Sequence, residues 1–516
     1  MCSILSQFRH DVYDWFPHRA DALMDLLDAA SSTPGARSVV ELSENALFRR
    51  QYGSVHDAIE QLCVPHGETA GLRERQHLEQ ALVRLLVPYL PRPQRHFWLL
   101  GIDVTPAARP YARTLSDRGY VYRPNPVKGV KPITIGHQYS VVVLFPEKHA
   151  PDDPPWVIPL LVNRVSTAET KRAAGLAQIG RLCEDATLPF HRDITVTVAD
   201  SDYSAVRFLG GVVAYPNHVT VARFAGNRTV YRQPPPPPKA RGKGHPTWFG
   251  APMSLQDPAT WDEPDEVTET TFTTRKGKVY SAHIEGWREM LVRGKRGLPM
   301  HTYPFTLVRI RVLNSKGQPV FRRPLWLIVF GERRNELTLG DIWEAYHQRY
   351  DVEHFFRFGT QRLLLDAYQT PETAHEENWW TIVQLAYLQL WFAREEAGSL
   401  PRSWERYLPR FRKARTDSPE SPSTPSTSDS VDVIPDTTTS TSTPLSEDHT
   451  KNSGVPSPSD VQRDCGRILQ QIGTPARPPK PRGKAPGRRA GERLVLRVQL
   501  PIIKKSVKTL QQQRAP

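Results

Sequence analysis

The sequence predicts an α/β protein. Its centre is a mixed sheet with flanking helices, interrupted by a β-rich insertion. A helical N-terminal domain precedes it and a disordered C-terminal tail follows. Three observations carry this. Apolar, strand-sized runs alternate with helical stretches between residues 93 and 225. Residues 1–92 repeat their apolar positions every three or four residues. Residues 414–460 are Ser, Thr, Pro and Asp with hardly an aromatic, too polar to bury a core.

In the first region, "ADALMDLLDAA" and "QHLEQALVRLL" give the helical spacing, and "PYLPRP" ends it. The strands "HFWLLGID" (96–103), "HQYSVVVLFP" (137–146) and "WVIPLLVN" (156–163) follow. "TAETKRAAGLAQIGRLCEDA" (167–186) reads as a Thr-capped helix, "DITVTVAD" (193–200) as a strand, "SAVRFLGGVVAYP" as a short helix and "HVTVARF" (218–224) as a strand. Three strands in a row can form an antiparallel meander. Strands separated by helices would pair in parallel.

The β-rich insertion spans 226–335. It enters through the run Pro234–Pro238 and the basic "KARGKGHP", a stiff extended segment. Alternating runs and the turn "NSKGQP" make the rest antiparallel. Residues 336–412 return to helix. "YHQRYDVEHFFRFGTQRLL" reads as part of one helix, and "ENWWTIVQLAYLQLWFAREEA" as a second, very apolar one. Residues 413–516 are a low-complexity linker and a basic tail.

The 516 residues allow several domains and a sizeable core. No apolar run approaches the roughly 18 residues of a membrane span. The first residues carry acids and aromatics where a signal peptide has a basic and then an apolar region, so a cytosolic, nucleoid-associated protein is expected, with no membrane partner. Four scattered cysteines without CxxC spacing argue against a disulfide framework and a structural zinc site. The net charge of +14 favours a polyanionic partner, most often nucleic acid. That charge is uneven: residues 1–90 hold no lysine, while 475–508 hold eleven Lys and Arg against Glu492.

Asp103 and Asp200 each follow an apolar strand, which puts them at the carboxyl edge of a sheet where ligands of α/β folds gather. The plain alternative for each is a strand terminator or helix N-cap. Glu353 lies four residues after Arg349 and seven after Tyr346, on one helical face. That face could be solvated surface with an Arg–Glu pair. The aromatic neighbours Tyr350, Phe355 and Phe356 instead indicate a helix packed on a core. Three carboxylates held together repel one another, and two divalent cations, Mg²⁺ or Mn²⁺, would neutralise them. Such a pair of ions supports phosphodiester cleavage or exchange.

With these residues in place, the chain resembles the DDE transposases of bacterial insertion sequences, in particular the group with a Tyr-x2-Arg-x3-Glu-x6-Lys signature. Tyr346, Arg349 and Glu353 match that spacing, and "GID" and "VAD" supply the first two acids. The resemblance spans about 95–400 and, more loosely, the N-terminal helices. It implies an RNase H-like core and Asp103, Asp200 and Glu353 as catalytic metal ligands for two Mg²⁺ or Mn²⁺ ions. It also implies Tyr346 and Arg349 as contacts to the transposon end, a DNA-end-binding role for 1–92, and a homodimer in a synaptic complex with terminal repeats and target DNA. The signature lysine falls on Thr360, and Arg357 or Arg362 could serve the phosphate instead. Asp202 and Asp351 are rivals. Asp200 is preferred because it directly follows the strand, and Glu353 because it keeps the spacing from Arg349. His137 is expected to be structural. A nuclease of the same fold without transposition, and a catalytically decayed DNA-binding protein, are the alternative readings.

Overall fold

The computed structural model describes residues 3–64, 68–122, 132–236, 247–274, 277–295, 297–398, 454–480 and 497–504. The linker 399–453, most of the basic tail and Lys239–Pro246 therefore lie outside the described residues.

One large sheet organises the chain. Its first strands are β1 (Trp98–Ala108), β2 (Gly119–Tyr122), β3 (Ile133–Leu144) and β4 (Ile158–Val165), followed by β5 (Thr195–Ala199) and β6 (His218–Arg223). β3 runs antiparallel between β1 and β4, which is the expected meander. β5 is parallel to β1, and β6 is parallel to β5. The crossovers carry α5 (Lys171–Glu184), the single turn α6 (Pro189–Arg192) and α7 (Val206–Val212). β5 is buried throughout because helices cover it, which explains its unbroken apolar character. This is the RNase H-like mixed sheet.

The insertion does not form a sheet of its own. β7 (Thr229–Tyr231) and β8 (Pro252–Ser254) make a small ribbon. β9 (Glu266–Thr273), β10 (Val279–Met290), β11 (Phe305–Asn314) and β12 (Leu325–Phe330) then extend the core sheet. β12 pairs antiparallel with β6, from Leu327 opposite Arg223 to Phe330 opposite Thr220. β6 would otherwise present a row of unpaired backbone groups.

The N-terminal helices are α1 (Ile4–Trp15), α2 (Ala20–Ser32), α3 (Gly53–Gln61) and α4 (Glu68–Leu86). They do not stand apart from the core. α10 (Thr373–Ala393) is largely apolar, is buried on all sides from Asn378 onward and lies between them and β4. Arg9, only 1% exposed, pairs with Asp28 of α2 and donates to Gln389 of α10 at 2.9 Å. Tyr139 of β3 stacks on Trp380 of α10 at 3.8 Å.

Within the segment read as tail, Pro458–Ile472 forms a helix, α11. Ser457 and Asp460 close a capping box at its start, and Val461, Cys465, Ile468 and Leu469 are buried on its inner stripe. It packs on α2 and α10.

The helix expected to run through Tyr346–Leu364 is two helices, α8 (Leu339–Gln348) and α9 (Asp351–Arg362). At the joint, the N–H groups of Arg349, Val352 and Glu353 donate to the carbonyls of Tyr346, Arg349 and Tyr350, three residues back, at 3.2, 3.3 and 3.2 Å. This is 3₁₀ tightening. It goes with an Arg349 that is 9% exposed and a Glu353 that stays in solvent.

Candidate active site

The parallel ladder of β1 and β5 ends at Gly101 opposite Val198. Carried two residues on, it sets Asp103 level with Asp200. In parallel strands, level residues project to the same face. Asp103 does not end its strand as expected. β1 continues to Ala108 because β3 keeps pairing with it, from Asp103–Val141 to Ala108–Gly136. Gly136 permits that approach, since a Cβ there would fall 2.0 Å from the Ala107 carbonyl oxygen.

Asp103 is half-buried, and its Oδ1 accepts the Val104 N–H at 2.8 Å. Burial pushes its carboxyl up to about 6, helped by the nearby Asp200 and Glu353 carboxylates and opposed by the Val104 N–H and Arg349. Its surroundings are thus those of a crowded acid.

Asp200 is the N-cap of the 3₁₀ turn Ser201–Ser204, where its Oδ1 accepts the Asp202 N–H at 2.9 Å. The capping role and the position at the sheet edge coexist. Lys171, the first residue of α5, places its Nζ 3.7 Å from Asp200 Oδ2 and in a closer ion pair with Asp202. α5 is seated tightly over this edge: a Cβ on Gly175 would fall 2.6 Å from Ile102 and 2.8 Å from Tyr203. The buried Tyr203 hydroxyl is held well above its usual range by burial and by Asp200 and Asp103.

The α8–α9 joint supplies the other side. Tyr346 is 1% exposed. The Arg349 guanidinium carbon lies 4.7 Å from the Tyr350 ring centre and 5.6 Å from that of Tyr346, and its Nη2 is 3.7 Å from Glu353 Oε1. Its Nε is buried without a hydrogen-bond partner among the described residues. Asp351 is committed elsewhere, to Lys148 at 2.5 Å.

The basic candidates of α9 separate. Arg357, one turn after Glu353, is exposed on the same face, as is Thr360. Arg362 lies nine residues after Glu353, about half a turn around the helix. Its Nη1 donates to the Pro34 carbonyl at 3.1 Å, so the structure does not bring it to the acids. His137 is also away from the edge and fully engaged, with Nδ1 3.1 Å from Glu376 and Nε2 2.9 Å from the Ser116 carbonyl.

Two residues escaped the sequence reading. Lys171 arrives from a distant helix. Arg223, at the end of β6, follows the Ala199–Ala222 pair and so stands level with Asp200. Its charge also acts on the Tyr346 hydroxyl. The signal for Arg223 was its place as the lone charge closing the strand "HVTVAR".

The donor set suits a hard divalent cation, since all three acids offer carboxylate oxygens and Asp103 is made basic by burial and, less so, by the other two acids. Among the described residues, however, no three His, Cys, Asp or Glu are gathered closely enough to enclose an ion. The carboxylates are neighbours around an open edge.

The meander, the parallel strands β1, β5 and β6, an acid within β1 and another directly after β5 define the RNase H-like class. The model of the DDE superfamily endonuclease family matches residues 11–290, from α1 to the end of β10, and the chain belongs to that family. The match takes in Asp103 and Asp200 and stops before α8. Membership makes the protein a nuclease-type enzyme with DNA as its substrate, in a superfamily that generally uses divalent metals. No curated protein matches the chain. Among the described residues, no helix is long and apolar enough to cross a membrane.

Proposed function

We propose that the protein is a transposase that cleaves DNA at the ends of its element and joins the freed 3′-hydroxyl to target DNA. The observation that carries this is the level placement of Asp103 and Asp200, with Glu353 and Arg349 close enough to act on the Asp103 carboxyl. Asp103, Asp200 and Glu353 would hold two Mg²⁺ or Mn²⁺ ions. These would supply activation of water or of a 3′-hydroxyl and stabilisation of the leaving oxygen.

The remaining groups handle the substrate. Arg349, its guanidinium over the Tyr346 and Tyr350 rings, presents a planar fork to a phosphate near the cleavage point. Tyr346 packs beneath it, and Arg357 offers a second cation on the same face. The +14 charge provides affinity for the DNA backbone that does not depend on sequence. Two copies would act together in a synaptic complex.

The test uses purified protein, DNA carrying the element's terminal repeats and a target plasmid. Cleaved and joined products are expected only with Mg²⁺ or Mn²⁺. Joined products from Asp103→Ala, Asp200→Ala or Glu353→Ala proteins would refute the site. Strand breaks without joining would leave a nuclease.

A further inference from the structure

Lys171 stands where the acids need a positive charge. Its Nζ is 3.7 Å from Asp200 Oδ2 and closer still to Asp202, and the side chains of all three are about one-third to two-fifths exposed. Its backbone is fixed. Thr170 caps α5, with its Oγ1 accepting the Ala173 N–H at 3.2 Å, and Gly175 seats the helix on β1 and Tyr203. Only the four-carbon stem is free to move.

We propose that the Lys171 ammonium is a resident counter-cation that yields Asp200 to a divalent ion and then binds a phosphate of the DNA. An ammonium and a divalent ion repel one another across the Asp200 carboxylate, so an ion bound there weakens the hold of Asp200 on Lys171. A part-exposed ion pair is weak enough to be displaced by an ion that several carboxylates ligate. Drawn off Asp200, the ammonium keeps only its part-exposed pair with Asp202, which a DNA phosphate at the same sheet edge can displace. A compact point charge suits a non-bridging phosphate oxygen. This adds, from the opposite side to Arg357, a phosphate-contacting cation where Thr360 provides none and Arg362 is tied to Pro34.

The inference rests on the metal reading of the acids, and the experiment separates the two. Mn²⁺ binding to the full chain without DNA is measured by electron paramagnetic resonance for wild type, Lys171→Gln, Lys171→Arg and Asp200→Asn. Thermal melts confirm that each variant is folded. Lys171→Gln is expected to bind Mn²⁺ several-fold more tightly than wild type, and Lys171→Arg to stay near wild type. Binding of an element-end duplex is then followed against salt. With Mn²⁺ present, the slope of log affinity against log salt should fall by about one in Lys171→Gln, the value of about one lost phosphate contact. Without Mn²⁺ the slope should be unchanged, because Lys171 is then held by the acids. A Lys171→Gln protein with Mn²⁺ affinity equal to or below wild type, or with an unchanged slope in Mn²⁺, overturns the proposal. If Asp200→Asn leaves wild-type Mn²⁺ binding intact, the metal reading itself fails.

Discussion

Asp103 in β1 and Asp200 just past β5 each lie two residues beyond the Gly101–Val198 pair that ends the parallel ladder of those strands. Burial raises the Asp103 carboxyl, and the nearby Asp200 and Glu353 charges add to that rise.

The first prediction concerns stability without metal. The Asp103 carboxyl is raised to about 6 in the folded state, above its ordinary value. Folding is then helped by this group at low pH, where it is protonated, and that help is lost as pH rises through about 6. Ionised Asp103 should cost on the order of 2 kcal/mol at neutral pH. Asp103→Asn should therefore melt above wild type at pH 7.5 in EDTA, and the advantage should shrink towards pH 4. Added Mg²⁺ should raise the melting temperature of wild type and not of the variant. Melting curves at the two pH values, with and without metal, decide it.

The second contrasts two arginines. Arg349 lies over two tyrosine rings beside Glu353, whereas Arg362 is bonded to Pro34. Arg349→Lys keeps the charge and loses the fork and the stacking, so affinity for an element-end duplex should fall by about tenfold, the worth of one charge-assisted hydrogen bond. Arg362→Lys should change it by less than about twofold. Fluorescence anisotropy on both proteins tests the separation. Equal losses would mean that the α8–α9 joint and the far end of α9 both meet DNA.

The contrast also shows where the sequence was legible. Asp200 could be found because "TVTVAD" puts an acid directly after an apolar strand that the fold buries. Glu353 could be singled out because its spacing from Tyr346 and Arg349 is a local pattern, although the joint between α8 and α9 falls inside it. The level placement of Asp103 and Asp200 was out of reach, since register is a property of two strands. For the same reason Lys171 and Arg223, brought in by α5 and β6, were missed. The extension of the core sheet by β9–β12 depends on which edge a distant strand finds, and composition is silent on that. α11 is a different case. Its stripe Val461, Cys465, Ile468 and Leu469 and the Ser457–Asp460 box were both readable, but the surrounding Ser, Thr and Pro masked them.

The third prediction follows from that helix. Ile468 is 1% exposed where α11 packs on α2 and α10. Ile468→Ala should lower stability by about 2–4 kcal/mol, the range for emptying a buried aliphatic site. Ending the chain at residue 453 should cost more, since it also removes the Gly473 carbonyl that accepts from Arg9 at 3.0 Å. Urea denaturation measures both. A truncated protein as stable as wild type would show that α11 rests on the core without supporting it.

The last concerns Glu376, fully buried at the start of α10. Its oxygens accept Arg109 Nε at 2.9 Å and the Tyr139 hydroxyl at 2.9 Å, and lie 3.1 Å from His137 Nδ1. Burial alone would raise its carboxyl, but the His137 contact and the Arg109 charge outweigh burial and hold it below the usual range. Stability from this group is therefore present above the ordinary carboxylate value and lost as pH falls through the depressed one. Arg109 is also buried, and it has no other carboxylate partner among its described hydrogen bonds. Glu376→Gln would leave that charge unbalanced, at a cost of about 3–5 kcal/mol at pH 7. The gap to wild type should narrow in strong acid, where Glu376 itself takes a proton. Urea denaturation at pH 7 and pH 3 reads both values. Because the network joins β1 and β3 to α10, its loss should also loosen β1, the strand that carries Asp103. The amide protons of β1 in Glu376→Gln should then exchange faster with solvent, and unchanged exchange there would confine the network's effect to α10.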